Sequence, residues 1–156
     1  MDDTFPSVSV VMAVYNGEDT VSDAIESIQI QTFDEWEFII VDDASTDNTN
    51  AVLQSKSKYD KRIRIFQNKI NKGLAASLNF GWQQARGPLI ARMDADDISL
   101  PTRLQNQVNF VKQNEDVSVL GTGVFIKNKK GEILGQASRP TRHAELRNEI
   151  LFKVPF

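Results

Sequence analysis

The sequence predicts an α/β fold: an open, mostly parallel sheet flanked by helices, followed by a C-terminal β-hairpin and a helix. Short apolar stretches alternate with stretches in which apolar residues recur every three or four positions, the pattern of successive βαβ units with right-handed crossovers. Polar clusters directly follow three of the apolar stretches. Because ligands of open α/β sheets lie beyond the carboxyl ends of the strands, we expect one sheet edge to gather the three clusters. They are Tyr15-Asn16, Asp42-Asp43 and the segment from Asp94 to Asp97.

Four stretches are predicted to form the sheet. The first two are apolar almost throughout, as in strands buried on both faces; the third alternates basic and apolar residues, and the fourth is short and reads as buried. A further strand is expected to start at Val117 and Val119. Asn128 to Gly131 is a hairpin turn signal between residues 124–126 and 133–134. The four sheet strands are assigned to residues 8–14, 36–41, 62–66 and 88–93.

Helices are predicted between the strands from apolar residues spaced along one helical face. Val21, Ile25 and Ile28 form such a face in a helix that ends near Gln31. A polar helix with N-cap candidates among residues 45–47 reaches about Lys58. The other predicted faces are Leu74, Leu78 and Ala85 with Trp82 beside them; Leu104, Val108 and Val111; and, after Thr141 as a cap, Leu146 and Ile150.

Composition restricts the class of protein. A chain of 156 residues predicts a single domain, residues 1–156, with a sizeable core. The net charge of −3 and the isoelectric point near 5.2 argue against a nucleic-acid partner. The absence of cysteine excludes disulfides and thiolate metal sites. Without a signal-peptide pattern or an apolar run of membrane-spanning length, we expect a soluble protein in the cytoplasm, with association to the inner face of a membrane left open.

The segment at Asp94, Asp96 and Asp97 carries the strongest chemical signal. Side chains alternate along extended chain, so Asp94 and Asp96 are expected to point the same way if the strand continues. Converging carboxylates repel each other unless a cation lies between them, and Mg²⁺ or Mn²⁺ is the hard ion that prefers oxygen ligands. The alternative is a solvated acidic turn that caps the next helix.

A metal held by one or two carboxylates usually completes its coordination with substrate phosphates, which indicates a diphosphate ligand. The chain has neither Gly-x-x-x-x-Gly-Lys-Ser/Thr nor Gly-x-Gly-x-x-Gly after the first strand, which argues against P-loop nucleotidases and dinucleotide-binding dehydrogenases. A nucleotide held by Tyr15 and the Asp42/Asp43 pair remains. The alternatives are a helix-capping turn at Asp43 and a half-buried core-edge aromatic at Tyr15.

Four motifs occur in a diagnostic order: residues 9–16 (SVVMAVYN), 39–47 (IIVDDASTD), 71–73 (NKG) and 93–97 (MDADD). Together they resemble the family 2 glycosyltransferases, and residues 27–33 and 101–104 fit the same pattern. The resemblance runs from about Val8 to Phe156. It implies the A-type glycosyltransferase fold, which is Rossmann-like. The implied activity is inverting, metal-dependent sugar transfer from a nucleotide-sugar, a UDP-sugar as first choice with GDP and dTDP donors open, in polysaccharide or glycoconjugate synthesis.

The resemblance also implies roles for single residues. Asp94 would lie near the ribose, and Asp96 would ligate the Mg²⁺ or Mn²⁺ that bridges the sugar diphosphate. Arg92 would contact the diphosphate or pair with a nearby aspartate. Lys72 has the alternative of a solvated loop lysine. The remaining donor contacts would come from Ala13, Val14, Tyr15 and Asp43 around the base, and from Glu18, Lys72 and Gly73 beside the nucleotide.

The acceptor side departs from the family pattern. Family members continue further and place the general base, an Asp or Glu, in their later half, so we expect the base beyond Phe156 and poor or no transfer by this portion alone. Glu145, Glu149 and His143 match no base motif and are interpreted as surface residues. The acceptor is expected to be a saccharide or a lipid-linked saccharide. Two other functions stay open: a non-catalytic nucleotide-sugar-binding module, and a phosphotransferase with Asp94 and Asp96 as nucleophile and acid.

Overall fold

Strands and helices alternate along the first two thirds of the chain. The computed structural model describes residues 5–128 and 130–138, which form two compact units divided between Asn109 and Phe110. Helix α4, Arg103–Gln113, crosses this division, and the second unit contains β5, Val124–Lys127, and β6, Ile133–Ala137. The first unit contains β1 (Val8–Val14), α1 (Val21–Gln29), β2 (Trp36–Asp42), α2 (Thr49–Tyr59), β3 (Ile63–Gln67), α3 (Leu74–Gln83) and β4 (Leu89–Arg92).

The first unit is built on a parallel four-stranded sheet with the order β3-β2-β1-β4. The chain moves outward from β1 to β3 and then returns to the other side of β1, so the strand order reverses between β1 and β4. Every residue of β1 and β2 is buried, as expected of central parallel strands covered on both faces. The predicted open, mostly parallel α/β fold is confirmed.

Helices cover the two faces of the sheet in different ways. On one face, Val21, Ile25 and Ile28 of α1 are buried as predicted, and Leu104 and Val108 of α4 join the same apolar core. On the other face α3 packs through its small residues, since Ser77 and Gly81 are the buried residues of that helix. A Cβ added to Gly81 would lie 2.7 Å from Val11 Cγ1, so glycine permits the close approach.

Three details differ from the sequence predictions. The predicted apolar face of α3 is wrong: Leu74 is exposed and Trp82 is 63% exposed, because close helix–sheet contact selected the small side chains. The fourth strand is only half-buried, because among the described residues β4 pairs with β1 alone. No strand forms at Val117 or Val119; β-branched residues favour a strand only where a neighbour pairs with it.

The predicted hairpin is confirmed, with β5 and β6 pairing antiparallel. Asn128 Oδ1 accepts hydrogen bonds from the backbone N–H groups of Lys130 (2.9 Å) and Glu132 (3.0 Å). Gly131 has φ of 82°, a left-handed conformation that glycine adopts without strain. The turn chemistry read from the sequence therefore forms the connection.

The last predicted helix, with Thr141, Leu146 and Ile150, lies outside the described residues, as do His143, Glu145 and Glu149. Within the described ranges, no helix combines the length and the apolar character that crossing a bilayer requires.

Candidate functional site

The loops that follow β1, β2, β3 and β4 all leave the same edge of the sheet, because the four strands are parallel. The three predicted polar clusters therefore lie along one edge, at the reversal of strand order where open α/β sheets bind ligands. Two loop residues at this edge, Asn16 and Ala44, have positive φ values of 51° and 64°. Such backbone is uncommon outside glycine and concentrates at functional sites.

A cavity of about 180 Å³ opens at this edge. It is smaller than the 300–1,000 Å³ typical of whole-ligand pockets, so it fits one part of a ligand. Its walls combine apolar side chains, the half-exposed ring of Tyr15 and a single carboxylate, which suits a flat ring with a polar edge. The lining residues are Ala13, Val14, Tyr15, Asp43, Asn71, Gly73 and Leu74.

Five of the predicted donor-binding residues thus come together in one cavity: Ala13, Val14, Tyr15, Asp43 and Gly73. Asn71 and Leu74 were missed as individual site residues. The available signal was their position on either side of Lys72-Gly73: Asn71 lies in the loop that leaves the carboxyl end of β3, and Leu74 is the first residue of α3.

Asp43 organises the cavity. Its side chain is buried; Oδ1 accepts hydrogen bonds from Asn68 Nδ2 at 2.6 Å and Lys72 N at 2.9 Å, and Oδ2 accepts one from Gly73 N at 2.8 Å. Burial by itself raises the pKa of Asp43, but the Lys72 N–H, together with Asn68, Ser77 and the Gly73 N–H, holds the pKa below its usual range. The group is a carboxylate at neutral pH.

These hydrogen bonds connect Asp43 to the loop after β3. Of the hydrogen bonds that the loop after β3 donates to Asp43, Oδ1 accepts two and Oδ2 accepts one; since a carboxylate has about four acceptor positions, the loop leaves one position on Oδ2. Lys72 acts on Asp43 through its backbone N–H, while the residue itself is exposed. Gly73 has φ of 84°, so a side chain there would strain the turn that directs its N–H at Asp43.

Glu18 has a partner within the chain rather than lining the cavity. Its Oε2 accepts a hydrogen bond from Asn48 N at 2.8 Å, and its backbone N donates to Asp47 Oδ2 at 3.1 Å. Asn16 Oδ1 similarly accepts from Thr46 N at 2.8 Å. These contacts fasten the loop after β1 to the loop after β2.

The acidic segment forms a turn instead of continuing the strand. β4 ends at Arg92, and Asp97 N donates to Asp94 O at 3.2 Å; the strand does not continue to Asp96, so the condition under which Asp94 and Asp96 were expected to point the same way is not met. Arg92 Nη2 contacts Asp94 Oδ1 at 2.6 Å, the anionic partner that an arginine in an apolar strand was expected to have.

The segment concentrates negative charge. Burial raises the pKa of Asp97, and the charges of Asp94 and Asp96 raise it further, against the lowering effect of Arg103 and Arg92. Asp96 is exposed, and none of the described residues donates a hydrogen bond to its carboxylate. Three carboxylates whose mutual repulsion a cation would relieve are hard oxygen donors of the kind that Mg²⁺ and Mn²⁺ prefer.

The described residues do not assemble three or more His, Cys, Asp or Glu side chains around one point in a metal-binding arrangement. The described residues at this edge therefore do not form a metal site made of protein ligands alone. One or two carboxylates with open positions for phosphate oxygens is the usual arrangement for Mg²⁺ with a phosphorylated ligand, and the segment fits that arrangement.

Comparison with known proteins agrees with this geometry. The profile of the family described as "Glycosyl transferase family 2" matches residues 9–156. An uncharacterized glycosyltransferase of Haemophilus influenzae is 36% identical over 158 residues, covering 96% of this chain and 49% of the relative. The Escherichia coli UDP-Glc:alpha-D-GlcNAc-diphosphoundecaprenol beta-1,3-glucosyltransferase WfgD is 34% identical over 142 residues, covering 91% of this chain and 54% of WfgD.

Among solved structures, S. aureus TarS 1-349 in complex with UDP-GlcNAc superposes with a TM-score of 0.64 at 28% identity, covering 79% of this chain and 34% of TarS. The chain spans about half the length of the relatives it matches in sequence. The expected A-type glycosyltransferase fold is thereby confirmed, and with a profile match along almost its whole length the chain belongs to glycosyl transferase family 2.

Proposed function

We propose that the protein transfers a sugar from a UDP-sugar to a hydroxyl group of a saccharide or lipid-linked acceptor. The observation that carries the proposal is the pairing of two features at one sheet edge: the cavity around Asp43, and the acidic segment from Asp94 to Asp97. The names of two relatives support the donor class, since WfgD is described as a UDP-Glc enzyme and TarS was crystallised with UDP-GlcNAc.

The cavity suits uracil. The uracil ring packs against the side chain of Tyr15. The imide N–H of uracil donates to the acceptor position on Oδ2 of Asp43 that the loop donors leave open. Ala13 and Val14 supply the apolar floor. An ionised, buried acceptor makes a strong hydrogen bond with a neutral donor, so Asp43 favours a base with an N–H at this position. GDP and dTDP donors remain the test cases against UDP.

The acidic segment receives the rest of the donor. Asp94 would lie toward the ribose, Asp96 would ligate Mg²⁺ or Mn²⁺, and Arg92 would bind the diphosphate after leaving Asp94. The metal, when bound, supplies Lewis-acid stabilisation of the departing diphosphate. Asp96 is the residue that would hold this metal, and positioning of donor against acceptor lowers the barrier further.

The reaction is a single displacement that inverts the anomeric carbon. An acceptor hydroxyl loses its proton to a carboxylate base, its oxygen forms the new bond to C1, and the bond from C1 to the diphosphate breaks. We assign the base to none of the described residues. The lipid-diphosphate acceptor in the name of WfgD makes undecaprenyl-type acceptors the first class to assay.

The test is thermal unfolding of the protein with UDP, in Mn²⁺ and in EDTA, beside GDP and dTDP. A ligand at about a hundredfold over its Kd stabilises by about 2.7 kcal/mol, which is about 5–10 °C for a chain of this size. We expect this shift with UDP and Mn²⁺, and a much smaller shift with UDP in Asp96→Ala.

The matched control is Asp34→Ala, the same substitution at an exposed residue before β2, at the opposite sheet edge. It is expected to keep the full metal-dependent shift. Absence of any UDP-induced shift in folded wild-type protein contradicts the proposal. A shift that Asp96→Ala retains contradicts the metal assignment, and a protein that binds UDP-sugar yet never consumes it with any acceptor is a binding module instead.

A further inference from the structure

The acidic segment from Asp94 to Asp97 lies on a short bridge, residues 93–98, between two anchored residues. The bridge follows Arg92, the last residue of β4, and leads to Ser99, which is buried. Ser99 N donates to Ser27 Oγ of α1 at 3.0 Å, and Ser99 Oγ donates to Met93 Sδ at 3.7 Å. The two ends of the bridge therefore already approach each other at Ser99.

A single side chain holds both ends. Arg103, the first residue of α4, donates from Nη1 to Ser99 Oγ at 2.8 Å and from Nη2 to the backbone oxygen of Arg92 at 2.8 Å. The guanidinium group makes these two bonds with separate nitrogens, a fork that a lysine ammonium on one nitrogen cannot reproduce.

The start of α4 is itself fixed to the residues that follow α1. Gln31 Nε2 donates to Leu100 O at 2.8 Å, and Gln31 Oε1 accepts from Leu104 N at 3.0 Å. Thr32 N donates to Pro101 O at 2.9 Å. Arg103 therefore projects from a backbone that is held to the body of the first unit, so its guanidinium can define where residues 92 and 99 lie.

We propose that Arg103 is the positioning residue of the metal–diphosphate site: by binding both ends of the segment it holds the carboxylates between them in the arrangement that receives the metal. This inference rests on the proposed function. With both ends held, ligand binding has less backbone freedom to restrict, and that lowers the entropic cost of binding.

Electrostatics and positioning predict opposite effects on metal affinity when Arg103 is replaced. As a cation near Asp97, Arg103 reduces the negative potential that attracts a divalent ion, so charge alone predicts that Arg103→Met strengthens metal binding. Positioning predicts that it weakens metal binding. Loss of a residue that orients metal ligands typically costs 10- to 100-fold in metal affinity.

The cavity around Asp43 provides an internal reference, since none of its lining residues lies between 92 and 103. The experiment measures the UDP affinity of the protein in EDTA and in Mn²⁺, and Mn²⁺ uptake in the presence of UDP from the electron paramagnetic resonance signal of free Mn²⁺. In Arg103→Met we expect the factor by which Mn²⁺ increases UDP affinity to fall by about 10- to 100-fold. If the wild-type factor is smaller than this, we expect Mn²⁺ to give the variant no increase in UDP affinity. UDP affinity in EDTA is expected to stay within about twofold, because the base cavity is untouched.

Three further variants complete the test. Arg103→Lys keeps the charge and loses the fork, so it is expected to lose part of the Mn²⁺ enhancement; Ser99→Ala removes one of the two acceptors and is expected to do the same. Arg62→Met is the matched control, because Arg62 binds Asp60 and stacks 3.6 Å over the Trp36 ring, before β3. It is expected to keep the wild-type enhancement.

The outcomes separate the two proposals. Wild-type protein whose UDP affinity Mn²⁺ does not change contradicts the proposed metal-dependent function and this inference with it. Wild-type enhancement that survives in Arg103→Met, or that rises, overturns the inference alone, as does an equal loss of UDP affinity in EDTA and in Mn²⁺. If Arg103→Met does not fold, Arg103→Lys and Ser99→Ala decide by the same criteria.

Discussion

Asp43 connects the fold to the candidate site at the level of one residue. Its carboxylate accepts the hydrogen bonds that hold Asn68, Lys72 and Gly73 in the loop after β3, and the same carboxylate lines the cavity. A helix-capping turn, the alternative for this aspartate, does not describe these contacts: the acceptor for Thr49 N at the start of α2 is Asp47 Oδ1, at 3.0 Å.

Replacing Asp43 by Asn is expected to weaken UDP binding by about 10- to 100-fold in the absence of metal. The side-chain amide of the variant directs N–H hydrogens at backbone N–H groups that donate to the carboxylate in the wild-type protein. The variant also loses the charge of the acceptor, and a hydrogen bond to a charged group contributes about 1.5–3 kcal/mol. Calorimetric titration with UDP in EDTA measures the change. The control is Asp42→Asn, which alters an equally buried neighbour outside the cavity lining. If both variants lose the same UDP affinity, the loss comes from a general loosening of the structure and not from the contacts of Asp43.

At the level of elements, Glu37 joins the strands at the edge opposite the site. It lies on β2 and is buried, with Ser9 Oγ of β1 donating to Oε1 at 2.8 Å. Arg64 of β3 and Arg86 after α3 contact Oε2 at 2.7 and 2.9 Å. Burial raises the pKa of Glu37, but Arg64, Ser9 and Arg86 together hold it below its usual range. One carboxylate thus ties three strands and the α3–β4 connection together.

Glu37→Gln is therefore expected to destabilise the protein by about 3 kcal/mol, at the lower limit for breaking a buried ion pair because both arginines are partly exposed. For a chain of this length the melting temperature falls by about 6–12 °C. Calorimetric or urea unfolding measures the loss. Since Glu37 lies roughly 17 Å along β2 from Asp42, UDP affinity of the folded variant should stay unchanged; a large loss of affinity would contradict the separation of the two edges.

At the level of the whole molecule, carboxyl groups make the free energy of unfolding depend on pH. The native structure lowers the pKa of Glu26, Glu37, Asp43, Asp47 and Asp60, and raises the pKa of Asp97. A carboxyl whose folded pKa is lowered stabilises the fold above its unfolded pKa, about 3.9–4.3, and this contribution is lost as the pH falls through the folded value. Asp97 acts in the opposite direction, since the folded state binds its proton more tightly.

Among the described residues, five groups of the first kind against one of the second predict that the urea midpoint is highest near neutral pH and falls steadily below about pH 4.3. Unfolding curves between pH 7 and 3, at constant ionic strength so that screening does not change, measure the dependence. Glu37→Gln should show a shallower decline than wild-type protein, because the variant lacks one of the five groups. A midpoint that rises on acidification would mean that repulsion in the acidic segment outweighs the five lowered groups.

The sequence by itself determined the parallel sheet, the helices between its strands, the hairpin and the edge that carries the candidate site. Those features depend on local periodicity, on turn residues and on the rule that parallel strands end together. The four ordered motifs determined the family. Tyr15 and Asp43 were predicted from their positions directly after β1 and β2, whereas Ala13 and Val14 were implied by the resemblance to the family.

Only the tertiary structure decided the contacts between distant segments. It assigned α3 a packing face of Ser77 and Gly81 instead of leucines, because the distance between helix and sheet selects side-chain size. It ended β4 at Arg92 and turned the acidic segment. It brought Arg103 to both ends of that segment across the start of α4. Hydrogen bonds of this kind join residues that sequence spacing leaves independent, so their partners appear only once the chain is folded.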